Sequence, residues 1–182
     1  MKYERENFKT VVVAGGFATI HNGHKKLFDK ANALKNNLKL CVFTFDDSLE
    51  KFKSGKVFWG IEKRTLVLKA LGADEVFVQS FDENFKNLTP RDFVTGVLME
   101  KLNAGAVVVG ENFRFGKNAK GNAEELKNIC GEYGIDVYIV ELEKTDDGKI
   151  ISTSLLRELA SSGNVENIFS LSGRPFEIGG KV

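Results

Sequence analysis

The segment Gly15-Gly16-Phe17-Ala18-Thr19-Ile20-His21-Asn22-Gly23-His24 is dense in residues that can do chemistry. Its opening glycines permit backbone conformations closed to other residues, so a ligand can come close to the main chain at Gly15, Gly16 and Phe17. His21 and His24 are the two histidines of the chain. Their spacing of three sets both imidazoles on one side of a helix entrance. Gly23 sits at that entrance, where unpaired N–H groups and the helix dipole favour an anion. Imidazoles placed there donate hydrogen bonds to phosphate oxygens as charge builds in a transition state. A metal site is the rival chemistry. No cysteine or carboxylate cluster adjoins the pair, so no metal ligand is expected.

Two later segments add to this. Gly110-Glu111-Asn112-Phe113-Arg114-Phe115-Gly116 runs on through Lys117, Lys120 and Gly121, setting three bases against one acid. Phe113 or Phe115 can stack on a flat heterocycle while a base holds a phosphate; equally, both rings can alternate into a core. Ile151-Ser152-Thr153-Ser154-Leu155-Leu156-Arg157 offers three hydroxyls where a helix begins, with Arg157 one turn in to reach the same anion. Capping alone needs only one of those hydroxyls.

These segments need a frame. Short β-branched runs at Thr10–Ala14, Leu38–Phe45, Glu75–Gln79, Ala106–Val109 and Asp136–Glu141 read as strands covered on both faces. Helical patterns lie between them at Gly23–Lys35, Ile61–Leu71, Arg91–Leu102, Ala123–Tyr133 and Ser152–Ser162. Thr89, Pro90 and Asp92 supply the cap, first position and capping-box partner of the third. Strand alternating with helix predicts one α/β domain, a Rossmann-like doubly wound parallel sheet, with ligands at the carboxyl ends of its strands. Residues 46–60 lack clear periodicity and read as a lid or substrate loop.

Composition bounds the partners. With 182 residues, one domain with a substantial core is expected. A net charge of +1 argues against a strongly basic nucleic-acid binder and against a polybasic membrane anchor. Cys41 and Cys130 fit no zinc or redox spacing and read as buried, reduced thiols. There is no apolar run of about 18 residues and no signal core, and a cytoplasmic enzyme fits these features.

The first segment resembles the HxGH signature of class I nucleotidylyltransferases. Taken with the other two, it resembles the adenylyltransferase module of the bacterial bifunctional riboflavin kinase/FMN adenylyltransferase (FAD synthetase) family. Gly110–Gly116 is similar to that family's GE(D/N)FRFG, and Ile151–Arg157 to its ISSTxIR. Gly163–Glu166 followed by Leu171–Phe176 is similar to its GDVE…LLGRPY boundary. The resemblance implies transfer of AMP from ATP to FMN, giving FAD and pyrophosphate, with Mg2+ accompanying ATP. His21, His24 and Arg157 would then be catalytic. Gly15, Gly16, Phe17, Gly23, Gly110, Ser152, Thr153 and Ser154 would bind the nucleotide, and Phe45, Asn112, Phe113, Arg114 and Phe115 the flavin. Residues 1–172 would form the nucleotidylyltransferase domain, with 173–182 a tail where the family's kinase domain begins. In the first motif, Gly16, Ala18 and Thr19 stand where the family has asparagine, a carboxylate and glycine. Two alternatives stay open: another HxGH enzyme, such as a cytidylyltransferase acting on a polyol or choline phosphate, or a module that binds flavin or nucleotide without turnover.

Overall fold

A computed structural model describes residues 9–55 and 57–173. Its strands, in chain order, are β1 (Thr10–Ala14), β2 (Lys39–Phe45), β3 (Glu75–Gln79), β4 (Ala104–Gly110), β5 (Arg114–Phe115), β6 (Gly121–Asn122) and β7 (Asp136–Val140). The helices are α1 (Asn22–Leu34), α2 (Asp47–Ser54), α3 (Ile61–Ala70), α4 (Glu83–Lys86), α5 (Pro90–Asp92), α6 (Ala123–Glu132), α7 (Thr153–Ser161) and α8 (Val165–Ser172).

Five of the strands form one sheet in the order β3-β2-β1-β4-β7, every neighbouring pair parallel. Side chains alternate across a strand, so each strand feeds two cores. Val12, Ala14, Cys41, Phe43, Val107 and Val109 face one side, with Val94, Leu98, Leu126 and Ile129 packed over them. Val11, Val13, Leu40, Val42, Ala106 and Val108 face the other, under Leu27, Phe28, Ala31 and Leu68. Helices thus cover both faces, which is why these strands are apolar at nearly every position. The sheet is the doubly wound one expected.

Thr89 and Asp92 form the expected capping box, the Thr89 hydroxyl accepting from the Asp92 N–H at 3.1 Å and the Asp92 carboxylate from the Thr89 N–H at 3.2 Å. Beyond Asp92 the helix widens to π pitch over Phe93–Lys101, and the Leu102 N–H reaches back five residues to the Val97 carbonyl at 3.0 Å. Both cysteines are buried and unbridged, and burial pushes their thiols up, to about 11 for Cys41 and about 12 for Cys130.

The stretch expected to be a loop, residues 46–60, holds α2 instead. The Asp46 carboxylate caps it, accepting the Ser48 N–H at 2.9 Å, and Gly55 ends it in the left-handed region at φ 67°. Its buried residues are Leu49 and Glu50, while Phe52 is 63% exposed. A buried glutamate and an exposed phenylalanine invert the usual helical pattern, so periodicity alone missed it. The short hairpin of β5 and β6, α4 and α8 also lay outside the expectation. Arg174–Phe176, part of the boundary motif, lie outside the described residues.

Candidate active site

Parallel strands deliver their following loops to one edge. Gly15, Asp46, Glu111 and Glu141 therefore emerge together, and the strand order reverses between β1 and β4, where such sheets open a crevice. The Gly15 N–H continues the sheet by donating to the Phe43 carbonyl at 3.1 Å. Phe17 then turns at φ 44° and folds its ring back beneath Gly15. A Cβ on Gly15 would stand 2.8 Å from that ring, so the position requires glycine. The ring itself is buried, packing on His24 at 4.9 Å and on Phe28 at 6.0 Å. Phe17 was expected to meet the nucleotide. Its ring instead supports the histidine from behind, and only its main chain remains for contact.

His21 and His24 stack at 3.8 Å with 27° between their planes. Helix α1 starts between them: His21 is its N-cap, and the His21 N–H donates to His24 Nδ1 at 3.4 Å. A ring nitrogen that accepts is unprotonated, so His24 carries its proton on Nε2. Burial lowers the pKa of His21 from the usual 6.5 to about 4. Burial, then the neighbouring His21, holds His24 well below the usual histidine range. Both rings are neutral donors at neutral pH. Among the described residues, His21 Nδ1 is buried without a hydrogen-bond partner.

Helix α7 meets this turn from the far end of the sequence. The Ser152 oxygen caps the helix, accepting the Leu155 N–H at 3.3 Å. The Thr153 hydroxyl lies 3.3 Å from that of Thr19. Ser154 is exposed. The Arg157 Nη2 is paired with the carboxylate of Glu50 on α2, whose side chain is 7% exposed. Glu50 was not anticipated from sequence. A lone glutamate in an aperiodic stretch gives no signal until its partner, 107 residues away, is known.

Arg64 was missed for the same reason. Its side chain is fully buried and spans the space under the glycine turn. Nε donates to the Trp59 carbonyl at 3.0 Å, Nη1 to the Gly16 carbonyl at 3.2 Å and the Phe45 carbonyl at 2.8 Å, and Nη2 to the Asp47 carboxylate at 2.8 Å. The Thr44 hydroxyl also donates to the Gly16 carbonyl, at 3.1 Å. A Cβ on Gly16 would lie 3.5 Å from Leu49 of α2. The Gly16 main chain expected to receive a ligand is therefore engaged from within, by Arg64, Thr44 and α2. Gly23 lies tight against His21, since a Cβ there would stand 3.2 Å from the imidazole.

The residues expected at a flavin divide in two. Asn112 and Arg114 are exposed, on the loop after β4 and on β5, and Phe113 and Phe45 are half-buried. Phe115 is buried against Phe93 at 5.3 Å, and Gly121 lies so close that a Cβ there would be 2.6 Å from its ring. That seals Phe115 into the core, where it backs Phe113 at 5.8 Å rather than facing a ligand. Phe45 connects to this pair through Phe43 and Phe93, at successive centroid distances of 5.2, 5.5 and 5.3 Å. Gly110 precedes Asn112, whose side-chain oxygen lies 3.2 Å from where a Gly110 Cβ would be. Among the described residues, no group of three or more His, Cys, Asp or Glu stands together as a metal site. No helix among them is long and apolar enough to cross a membrane.

The model of the FAD synthetase family matches residues 3–154. The bifunctional riboflavin kinase/FMN adenylyltransferase of Escherichia coli (strain K12) is 30% identical over 178 residues, which cover 94% of this chain and 56% of that protein. The chain thus spans little more than half of that relative. The FAD synthetase of Listeria monocytogenes is 26% identical over 184 residues, covering 98% of this chain and 74% of that one. Among solved structures, one described as a macrolide-efflux protein from Streptococcus pneumoniae superposes with a TM-score of 0.80 at 30% identity, covering 95% of this chain and 59% of that one.

Proposed function

The chain belongs to the FAD synthetase family, and on that premise we propose that it transfers the adenylyl group of ATP to FMN, giving FAD and pyrophosphate. The observation that supports this most directly is the meeting of the stacked, neutral His21–His24 pair with the start of α7, through Thr19 and Thr153, at the carboxyl edge of the sheet.

In the reaction an FMN phosphate oxygen attacks the α-phosphorus of ATP, a new P–O bond forms, and the bond to the β-phosphate breaks to release pyrophosphate. Negative charge shifts onto oxygens already carrying it, so catalysis is chiefly placement and charge stabilisation, and no covalent enzyme intermediate is needed. His24 offers its Nε2–H to a triphosphate oxygen because Nδ1 is occupied by the His21 N–H. A neutral imidazole suffices as a donor in a dry site, and its buried setting keeps it neutral. Thr153, Ser154 and the first N–H groups of α7 face the phosphates from the opposite side. Arg157 joins them once released from Glu50. Magnesium enters as part of the substrate, held by the phosphates. Phe45, Phe113, Asn112 and Arg114 form the flavin side, two half-buried rings next to an amide and an exposed guanidinium.

The test is incubation with magnesium, ATP and FMN, followed by chromatography for FAD, and in parallel with CTP and glycerol phosphate, followed by pyrophosphate release. FAD formation is the expected result. Pyrophosphate released only with CTP, or ligand binding with no product, overturns the reading.

A further inference from the structure

Thr19 sits two residues before His21 and is 1% exposed, yet it carries a hydroxyl. A buried hydroxyl with nowhere to place its proton costs roughly 1–3 kcal/mol, so such groups are nearly always satisfied. Among the described residues, the side-chain partner of Thr19 Oγ1 is Thr153 Oγ1, 3.3 Å away. Geometry alone leaves open which of the two donates. Burial decides it. The Thr19 proton has Thr153 as its described acceptor, whereas Thr153 is half-buried and partly open to solvent. With Thr19 donating, the Thr153 oxygen accepts from behind and its own O–H is left to point outward. The reverse arrangement would present oxygen lone pairs to whatever anion binds there. Ser152 differs in its tie: its oxygen accepts from the Leu155 N–H of its own helix, not from the histidine turn.

We propose that Thr19 is a positioning residue: its buried hydroxyl donates to Thr153, aims the Thr153 proton at the nucleotide's triphosphate, and ties the start of α7 to the histidine turn. The inference rests on the adenylyl-transfer reading for the identity of the anion. It makes Thr19 act on ATP through Thr153 and not on the flavin side.

Thr19→Val keeps the shape and removes the hydroxyl, Thr19→Ala removes hydroxyl and methyl, and Thr19→Ser keeps the hydroxyl alone. Each is measured for kcat, for KM of ATP and of FMN, for ATP dissociation constant by calorimetry, and for melting temperature. Thr19→Val and Thr19→Ala are expected to weaken ATP about fivefold, the worth of one hydrogen bond, with the KM for FMN unmoved. Thr19→Ser should restore ATP binding even if its lost methyl lowers the melting temperature. In a Thr153→Val background, Thr19→Val should add no further penalty. Equal ATP affinity in the valine, alanine and serine variants overturns the proposal, as does an undiminished Thr19→Val penalty when Thr153 is already valine. If the unaltered protein forms no FAD, the functional reading fails. The calorimetric series still judges Thr19 separately, since it reads ATP binding without turnover.

Discussion

Replacing Arg64 by methionine should cost the protein about 4 kcal/mol of stability, a figure that follows from the four groups it serves. Its guanidinium is fully buried and satisfies three main-chain carbonyls, of Trp59, Gly16 and Phe45, and the Asp47 carboxylate. Methionine fills much of the same space without a donor. A buried carbonyl left unpaired costs roughly 1–3 kcal/mol, and breaking a buried ion pair by removing one partner roughly 3–5 kcal/mol. These overlap rather than add, because the Asp47 side chain is 31% exposed and recovers water once released. Arg64→Lys keeps the charge but replaces a planar fork with a single nitrogen that cannot reach all four acceptors; about half the loss is expected. Urea denaturation with a shared slope measures both, and the methionine variant should melt about 10 °C lower for a chain of this size. A loss below about 1 kcal/mol in a natively folded Arg64→Met protein would show that these hydrogen bonds contribute little, and would refute the view that Arg64 braces the glycine turn.

Three further outcomes are expected. His24→Ala should abolish FAD formation while ATP still binds through α7; a near-normal rate would defeat the assignment of His24 as phosphate donor. Glu50→Gln should tighten ATP several-fold by freeing Arg157 from a competing carboxylate, whereas weaker ATP binding would mean that Glu50 aligns Arg157 and does not compete for it. The unfolded-state pKa of His21 is near 6.5 and its folded value about 4, so above pH 6.5 both states are neutral and nothing is lost. As pH falls from 6.5 toward 4 the unfolded chain alone takes up the proton, and stability should drop by roughly 3 kcal/mol before levelling off. That drop should be missing from the curve of His21→Gln and so appear in the difference between the two proteins, and a His21 imidazole titrating near 6.5 by NMR would contradict it.

The sheet was legible in the sequence because strands buried on both faces have no polar face to blur the pattern. Thr10–Ala14 and Asp47–Ser54 mark the two extremes. Every residue of β1 is buried, so composition alone identifies it. Helix α2 buries Glu50 and exposes Phe52, because Glu50 answers Arg157 and Phe52 packs with Phe81 at 5.1 Å beneath the ammonium of Lys86. Local periodicity cannot encode a partner that arrives more than a hundred residues later. The motif residues followed the same division. His21 and His24 stack, and Thr153 of α7 meets Thr19 beside them, each near an element start that the sequence itself marks. Phe17 and Phe115 mark the limit, because a ring beside a glycine reads alike whether it faces a ligand or folds back under the glycine. Only the close approaches at Gly15 and Gly121 tell the two apart.

Two of the arginines at the site are already paired, and its imidazoles are neutral. Arg157 is matched by Glu50 and Arg64 by Asp47, and both imidazoles are neutral. A triphosphate entering this arrangement brings several negative charges into a place that offers dipoles and neutral donors but no uncommitted cation from these pairs. Magnesium supplies part of the compensation. Arg157 is one cation that can add to it, because its partner sits on a short helix whose other buried residue is Leu49, against Gly16. Arg64 is fixed on four sides and cannot move to a ligand; Arg157 has one such tie and a side chain that is partly exposed. Displacing Glu50 from Arg157 would free one positive charge for a phosphate, which is what Glu50→Gln tests. On the proposed reading, ATP binding is sensitive at α2, the helix that the sequence pattern concealed.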